Sequence, residues 1–226
     1  MKILVPLLLR PNGPEAWVKN AERIANELSY EDKEVVVYDE AVSSFQGPWA
    51  AESNARNNAI DKHLKDDHTH VFWIDTDIVE FDKDIIQKLL SLTDQHVVAP
   101  YVFIEENETW PFKRFYDISC FVDLDGKCFD YKQPYNSLPD EDLQSVSSVG
   151  TCFLMPADIY REHQFGGIGV GEPLVAGPGL RYDPYHQKNE HIPFFEKARK
   201  IGYKIYVTPK VEIRHAFLPK YGIDFR

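Results

Sequence analysis

The sequence is short of cysteine, methionine and positive charge, and it has no long apolar run. Its three cysteines, Cys120, Cys128 and Cys152, show no CxxC spacing. That supports neither a disulfide framework nor a cysteine-built metal site, so buried thiols in a reducing compartment are expected. The first apolar stretch, Ile3 to Leu9, is interrupted by Pro6 and closed by Arg10. A membrane span needs about 20 apolar residues, and this stretch has neither the basic start nor the small-residue end of a secretory signal. It reads as a buried first strand, in a cytoplasmic chain with no stable membrane anchoring. Lys and Arg number 25 against 36 Asp and Glu, a net charge of −11, which disfavours a lasting hold on a phosphate backbone. There is no GxxxxGK[ST] run, and the glycine-dense stretch from Gly166 to Gly179 does not fit GxGxxG. A P-loop and a dinucleotide fingerprint are both unsupported.

What is present is core-forming material: 43% hydrophobic and 13% aromatic residues in a chain of 226, enough for a single domain with a sizeable core. Over the first hundred residues strand and helix patterns alternate. Lys2–Leu9 reads as a strand. Trp17, Ala21, Ile24, Ala25 and Leu28 recur at helical spacing after Pro14. Glu34–Tyr38 is a second strand, Ala50–Leu64 a second helix and His70–Ile74 an uninterrupted third strand. Asp82 is placed to cap a helix ending near Leu92, and Val97–Phe103 is a fourth strand. This βαβαβαβ order predicts a mostly parallel sheet with right-handed crossovers. Beyond it, Asp125-Gly126 signals a type I′ hairpin, Val146–Met155 a strand and Pro156–His163 a short helix. Gly166–Gly179 reads as a loop, His191–Ile201 as a helix stopped by Gly202, and Tyr203–Thr208 and Val211–His215 as closing strands.

The chemistry concentrates in His70-Val-Phe-Trp-Ile-Asp-Thr-Asp-Ile-Val-Glu-Phe81, where Asp75 and Asp77 stand at the exit of a buried strand. Ligands of open α/β sheets collect at the carboxyl ends of strands. A turn there lets one carboxylate reach a metal while the other reaches it through water or binds a ribose. Oxygen ligation suits Mg²⁺ or Mn²⁺, which bridges a diphosphate. The plain alternative is a solvated pair that ends a strand and caps a turn. Three histidines, His63, His68 and His70, look like a metal cluster on paper, but their spacing spans a helix end, a loop and a strand start, and solvated rings are expected.

Four segments in order resemble the GT-A fold glycosyltransferases that use nucleotide sugars, nearest to the small bacterial and phage-type members. They are the first βαβ unit with ESNARNNAID (Glu52–Asp61), VFWIDTDIVEF, SVGTCFLMPADIY (ending at Tyr160), and NEHIPFFEKARKIGYKIYVTPKVEIRH (Asn189–His215). The resemblance implies an α/β fold of the GT-A type: a central, mostly parallel sheet with helices on both faces and a small antiparallel part. It implies one glycosyltransferase domain over 1–226, with a nucleotide-binding half at 1–103 and an acceptor and catalytic half at 104–226. It also implies a hexosyl- or pentosyltransferase that moves a sugar from a UDP- or GDP-type donor to an acceptor hydroxyl, with Mn²⁺ or Mg²⁺ as cofactor, in a bacterial or phage-infected cytoplasm. Glycans, other hydroxyl compounds and modified nucleic-acid bases all remain acceptors that the sequence allows.

Position by position, the resemblance puts Pro6, Leu7 and Arg10 at the nucleotide pocket and Asp39 and Glu40 at the base or ribose. Arg56 faces the nucleotide or diphosphate, Asp75 the ribose and metal, and Asp77 and His215 the metal. The chain departs from the family at one place. A Glu-Asp pair is expected where Glu190-His191 stands, so the base that deprotonates the acceptor lies among Glu190, His191 and Asp183, and inverting and retaining outcomes both stay open. Arg214, Lys210 and Arg181 are cations available to a leaving diphosphate. The aromatic run Trp110, Phe112, Phe115 and Tyr116, and Trp49, fit core packing or a stacking wall. Two other classes compete. A non-catalytic nucleotide-sugar or carbohydrate-binding module would explain the altered Glu190-His191 pair. A phosphatase of the haloacid dehalogenase type also uses an Asp-x-Asp, but after its first strand.

Overall fold

The computed structural model describes residues 1–9, 15–39, 48–106, 114–116, 120–129, 142–161, 163–165, 175–177, 179–182, 190–217 and 220. The first half follows the alternating pattern: β1 (Lys2–Leu8), α1 (Glu15–Glu27), β2 (Lys33–Tyr38), α2 (Pro48–His63), β3 (His68–Ile74), β4 (Ile78–Glu80), α3 (Ile85–Leu92) and β5 (Val97–Ile104). The second half supplies short pieces and one long strand: β6 (Arg114–Phe115), β7 (Gln144–Ser145), β8 (Cys152–Pro156), a 3-10 turn at Ala157–Tyr160, β9 (His163–Phe165), β10 (Val175–Gly177), α4 (His191–Lys200) and β11 (Ile205–His215). Trp17, Ala21 and Ile24 are the buried face of α1, as their spacing requires.

Nine strands form one sheet in the order β2-β1-β3-β8-β5-β11-β4, with β6 on β5 and β7 on β11. The pairs β1–β2, β1–β3 and β5–β11 are parallel, while β8 runs antiparallel to both β3 and β5. β2, β1, β3, β5 and β11 therefore point one way, which gives the mostly parallel α/β sheet read from the sequence. The alternating order alone would set β5 beside β3. Instead β8, from the second half, inserts between β3 and β5. β9 and β10 form a separate antiparallel pair, so part of the glycine-dense stretch is strand. Gly179 packs so tightly on the 3-10 turn that a Cβ would lie 1.8 Å from the Tyr160 carbonyl oxygen.

Several local expectations are corrected. α3 begins at Ile85 with Asp84 as N-cap. Asp82 contributes its carbonyl, which accepts from the Ile85 amide at 3.0 Å. The Asp125-Gly126 hairpin is not type I′, because only Gly126 has positive φ, at 82°. The Asp123 carboxylate holds the amides of Asp125 and Lys127 at 3.0 and 2.8 Å instead, making a three-residue loop with glycine in the left-handed position. Gly202, at φ 99°, does stop α4. The two closing strands are one, β11, with a register break between Thr208 and Glu212. No disulfide joins the cysteines. Cys152 is buried as expected, but Cys120 is half-buried and Cys128 exposed. His68 and His70 are buried, not solvated. β3 starts at His68, and each ring has a partner: His68 Nδ1 accepts from the Lys65 amide at 2.9 Å, and His70 Nε2 lies 2.8 Å from the Asp94 carbonyl. Among the described residues no helix is long and apolar enough to cross a membrane.

Candidate active site at the carboxyl edge of the sheet

The carboxyl ends of β1, β3 and β11 and the amino end of β8 share one edge of the sheet. β3 leaves it through Asp75-Thr76-Asp77, a tight turn closed by the Ile78 amide on the Asp75 carbonyl at 3.2 Å. The chain then enters β4, whose Ile78 pairs with His215 at the end of β11. This short crossing brings Asp77 to His215. The His215 Nε2 lies 3.0 Å from Asp77 Oδ2, and the Ala216 amide donates to the Asp77 carbonyl at 2.9 Å. On the other side of the imidazole, Nδ1 lies 2.8 Å from the Ala216 carbonyl, and Tyr116 stacks on the ring at 3.6 Å and 14°.

Asp75 turns the other way: in an extended strand residues 75 and 77 would share a face, and the tight turn that follows β3 separates them. The Asp75 amide donates to the Thr151 carbonyl at 3.0 Å, and its Oδ1 accepts from Arg56 Nη2 at 3.4 Å. Thr151 sits at φ 58°, a conformation a β-branched residue rarely adopts. Arg56, on α2, is only 5% exposed. Its guanidinium lies over Trp73 at 4.9 Å and Tyr182 at 5.7 Å, and its Nε is 3.7 Å from Glu190 Oε1. Burial works to lower the Arg56 pKa, but Asp75, Tyr182 and Glu190 more than offset it, and the group is held firmly charged. Asn57, next to Arg56, fixes Tyr182 through both backbone groups, at 2.9 and 2.8 Å.

Glu190 and His191 start α4 and are buried at 2% and 3% exposure. Glu190 is thus not a solvated helix-end charge. Its Oε1 lies 3.3 Å from His191 Nε2, and its Oε2 has no hydrogen-bond partner among the described residues. Phe153, Tyr182 and Phe195 surround the His191 ring. Burial, only partly countered by Glu190, pushes its pKa down to about 4. His215 is pushed the other way. Burial lowers its pKa, but the charge and hydrogen bond of Asp77 raise it further, and the net is upward.

Arg56, Asp75 and Glu190 therefore form one cluster, and Asp77 with His215 an adjoining one. Among the described residues no three His, Cys, Asp or Glu side chains converge as a ready metal cage, because Asp75 turns toward Arg56 and leaves a two-residue pair. Pro6 and Leu7 lie buried within β1, not beyond its end; the donor-free Pro6 falls past the last β1–β3 pair, Leu4–Val71. Asp39 is exposed after β2. Arg10, Glu40, Asp183, Trp110 and Phe112, and the side chain of Trp49, lie outside the described residues. Of the other cations, Arg181 is bound to Asp61 at 2.7 Å and Lys210 to Asp142 at 2.5 Å, while Arg214 lies over Phe103 at 5.2 Å. Sequence reasoning missed Tyr182 and Thr151. Only Gly150-Thr151, breaking an apolar run, hinted at the last.

The lone pairs bear on whether a cation fits. If Nδ1 gives its hydrogen to the Ala216 carbonyl, a neutral His215 turns a bare Nε2 lone pair toward a carboxylate oxygen 3.0 Å away. Two acceptors in contact demand a positive centre, either a proton or a metal ion. A backbone carbonyl on the far ring nitrogen is how metal-binding imidazoles are oriented, and a carboxylate with an imidazole suits Mn²⁺.

The model of the Anp1 family matches residues 50–142, a stretch that holds Arg56, Asp75 and Asp77. The chain is similar to the mannan polymerase complex subunit mnn9 of Schizosaccharomyces pombe, 26% identical over 71% of this chain and 50% of that protein. It is equally similar to subunit MNN9 of Candida albicans, 26% identical over 71% and 47%. The chain spans about half the length of these curated relatives, and both are fungal. A crystal structure of a glycosyltransferase involved in glycosylating the major capsid of PBCV-1 aligns at 16% identity over 45% of this chain and 52% of that one, with a TM-score of 0.34. The family and the two fungal relatives agree with the glycosyltransferase resemblance read from the sequence.

Proposed function

We propose that the chain is a metal-dependent glycosyltransferase that moves a sugar from a UDP- or GDP-type donor to an acceptor hydroxyl. The observation that carries this is the Asp77–His215 pair, where two acceptors meet around a proton or a metal ion, beside the Arg56–Asp75–Glu190 cluster at the carboxyl edge. Asp77 and His215 hold the divalent ion, which when bound neutralises charge on the leaving diphosphate. Arg56 stands behind Asp75, fixes its carboxylate and adds a permanent positive charge where water screens little. Asp75, about one-third exposed, is the carboxylate open to the donor ribose.

Glu190 is the better-placed base. It is ion-paired to Arg56 through one oxygen and keeps the other uncommitted among the described residues. His191, boxed in by aromatic rings, supports Glu190. The names of the fungal relatives favour mannosyl transfer and a glycan acceptor.

A thermal-shift screen of UDP- and GDP-sugars, GDP-mannose included, with and without Mn²⁺, tests this. A donor at a hundredfold excess over its Kd stabilises by about 2.7 kcal/mol. A shift that needs Mn²⁺ and is lost in Asp77→Ala is expected, together with slow donor hydrolysis. No shift from any donor, or turnover of an aryl phosphate lost in Asp75→Asn, would overturn the reading.

A further inference from the structure

The turn that carries the carboxylates is held by a residue that no motif marks. Asn20, on α1, donates both hydrogens of its side-chain amide, to the Thr76 carbonyl at 2.7 Å and the Ile78 carbonyl at 2.7 Å. These carbonyls flank Asp77. The Asn20 oxygen accepts from Arg23 Nε at 2.8 Å, and Arg23 also donates to the Ile78 carbonyl at 3.0 Å and to Glu27 at 2.8 Å. The Asp77 carbonyl itself accepts from the Ala216 amide at 2.9 Å, and Thr76 Oγ1 donates to the Leu8 carbonyl at 3.1 Å. The peptide groups on both sides of Asp77 are therefore fixed from α1, and its carboxylate is aimed at His215 before any ligand arrives. Only a primary amide supplies two donors and an acceptor in this fork. An aspartate would set acceptors against both carbonyls.

We infer that Asn20 is a positioning residue, braced by Arg23, that pre-sets Asp77 for the divalent ion. This rests on the reading of Asp77 and His215 as the metal-holding pair. The bland alternative is a turn anchor that serves stability alone, and the molecule supplies a control for it. Arg161 Nη2 donates to the carbonyls of Lys65, Asp66 and His68 at 2.9, 3.2 and 2.6 Å. It clamps the opposite end of the same strand, β3, and touches nothing at the carboxyl edge.

The test is Mn²⁺ titration of the full chain without donor, followed by free-Mn²⁺ electron paramagnetic resonance, together with amide exchange of the metal-free protein. Asn20→Ala and the shape-conserving Asn20→Asp are expected to raise the Mn²⁺ Kd about 10- to 100-fold, the range for partners that orient metal ligands. The half-exposed Arg23→Gln is expected to raise it by a smaller factor in the same direction. In the metal-free Asn20 variants the Ala216 amide exchanges at least tenfold faster. kcat at saturating Mn²⁺ returns to within a few-fold of the parent. Arg161→Ala lowers Tm but leaves the Mn²⁺ Kd and Ala216 exchange unchanged. A Mn²⁺ Kd within twofold of the parent in the Asn20 variants of a Mn²⁺-binding protein overturns this inference alone. A parent protein that binds no Mn²⁺ overturns it together with the metal-holding role of Asp77 and His215.

Discussion

The two ends of β3 carry similar numbers of charges and treat them in opposite ways. At the amino end Glu34 lies within 2.6 Å of Lys65, 3.2 Å of Lys2 and 3.3 Å of His68, and Lys2 reaches Asp67 at 2.9 Å. Apart from His68, these groups keep access to water. At the carboxyl end one buried arginine serves two carboxylates, 3.4 and 3.7 Å away, and a buried histidine faces a third. Exposed pairs are formed and broken at little cost, with a median near 0–1 kcal/mol. Buried ones must overcome several kcal/mol of desolvation per ion and are poor stabilisers against an apolar alternative. Costly charges gathered at the one edge where α/β sheets bind ligands are what the proposed site requires.

The sharpest way to break this contrast is to delete one carboxylate from each end. Asp77→Ala is expected to lower Mn²⁺-dependent donor turnover by about 10³-fold or more, a loss of about 4 kcal/mol in transition-state stabilisation. Asp67→Ala is expected to leave it within twofold. Kinetics of donor hydrolysis with and without Mn²⁺ reads both. Next comes Arg56→Met, which strands the Glu190 carboxylate in an aromatic surround. Breaking a buried pair costs about 3–5 kcal/mol, so calorimetry is expected to show a Tm lower by roughly 10 °C. Arg56→Met with Glu190→Gln is expected to recover much of that, because the stranded charge is then gone.

The sequence made the amino-terminal strands and helices legible because their periods are strong and local. It also made Asp75 and Asp77 legible, because an uninterrupted apolar strand runs straight into them. Sheet order was not legible. Nothing local says that Cys152–Pro156 inserts between β3 and β5, since that depends on pairing with Ile74 across the fold. The Asp77–His215 contact follows from β4 joining β11, and a three-residue strand leaves no periodic trace. The Asn20 fork spans 56 and 58 residues, and an asparagine in mid-helix reads as a surface residue. The family resemblance pointed to Glu190, but its burial came only with Arg56 and the aromatic box, contacts made by separate elements.

Acid provides the third test: burial also pushes down the His68 and His70 rings at the amino end, but His191 is pushed as far as about 4. Its pKa is near 4 when folded and near 6.5 when unfolded. Between those values the unfolded chain binds the proton more tightly. Stability is therefore untouched above about pH 6.5 and falls as pH drops toward 4, by an amount on the order of 3 kcal/mol. Urea unfolding at pH 7 and pH 5 is expected to show the slope, and His191→Phe, which keeps the ring among Phe153, Tyr182 and Phe195, to reduce it, with His68 and His70 supplying the remainder. An unchanged slope would place the acid-sensitive group elsewhere.

The smallest effect is expected at the other end of the strand, and its smallness is the point. Glu34 is held down at about pKa 2, chiefly by its hydrogen bond to Lys65 and, against some desolvation, by Lys2. Its contribution is present above the ordinary carboxylate range and fades as pH falls toward 2. Yet Glu34 is about one-quarter exposed and Lys65 more than half, so solvent screens the pair. Glu34→Gln leaves Lys2 with Asp67 and both lysines in water. A loss under about 1 kcal/mol is expected, with Tm moving by no more than roughly 3 °C and the difference shrinking further in 0.5 M salt. A larger, salt-insensitive loss would mean that the amino-end charges are as costly to separate as those around Arg56. Burial at the carboxyl edge would then no longer distinguish a site from a surface.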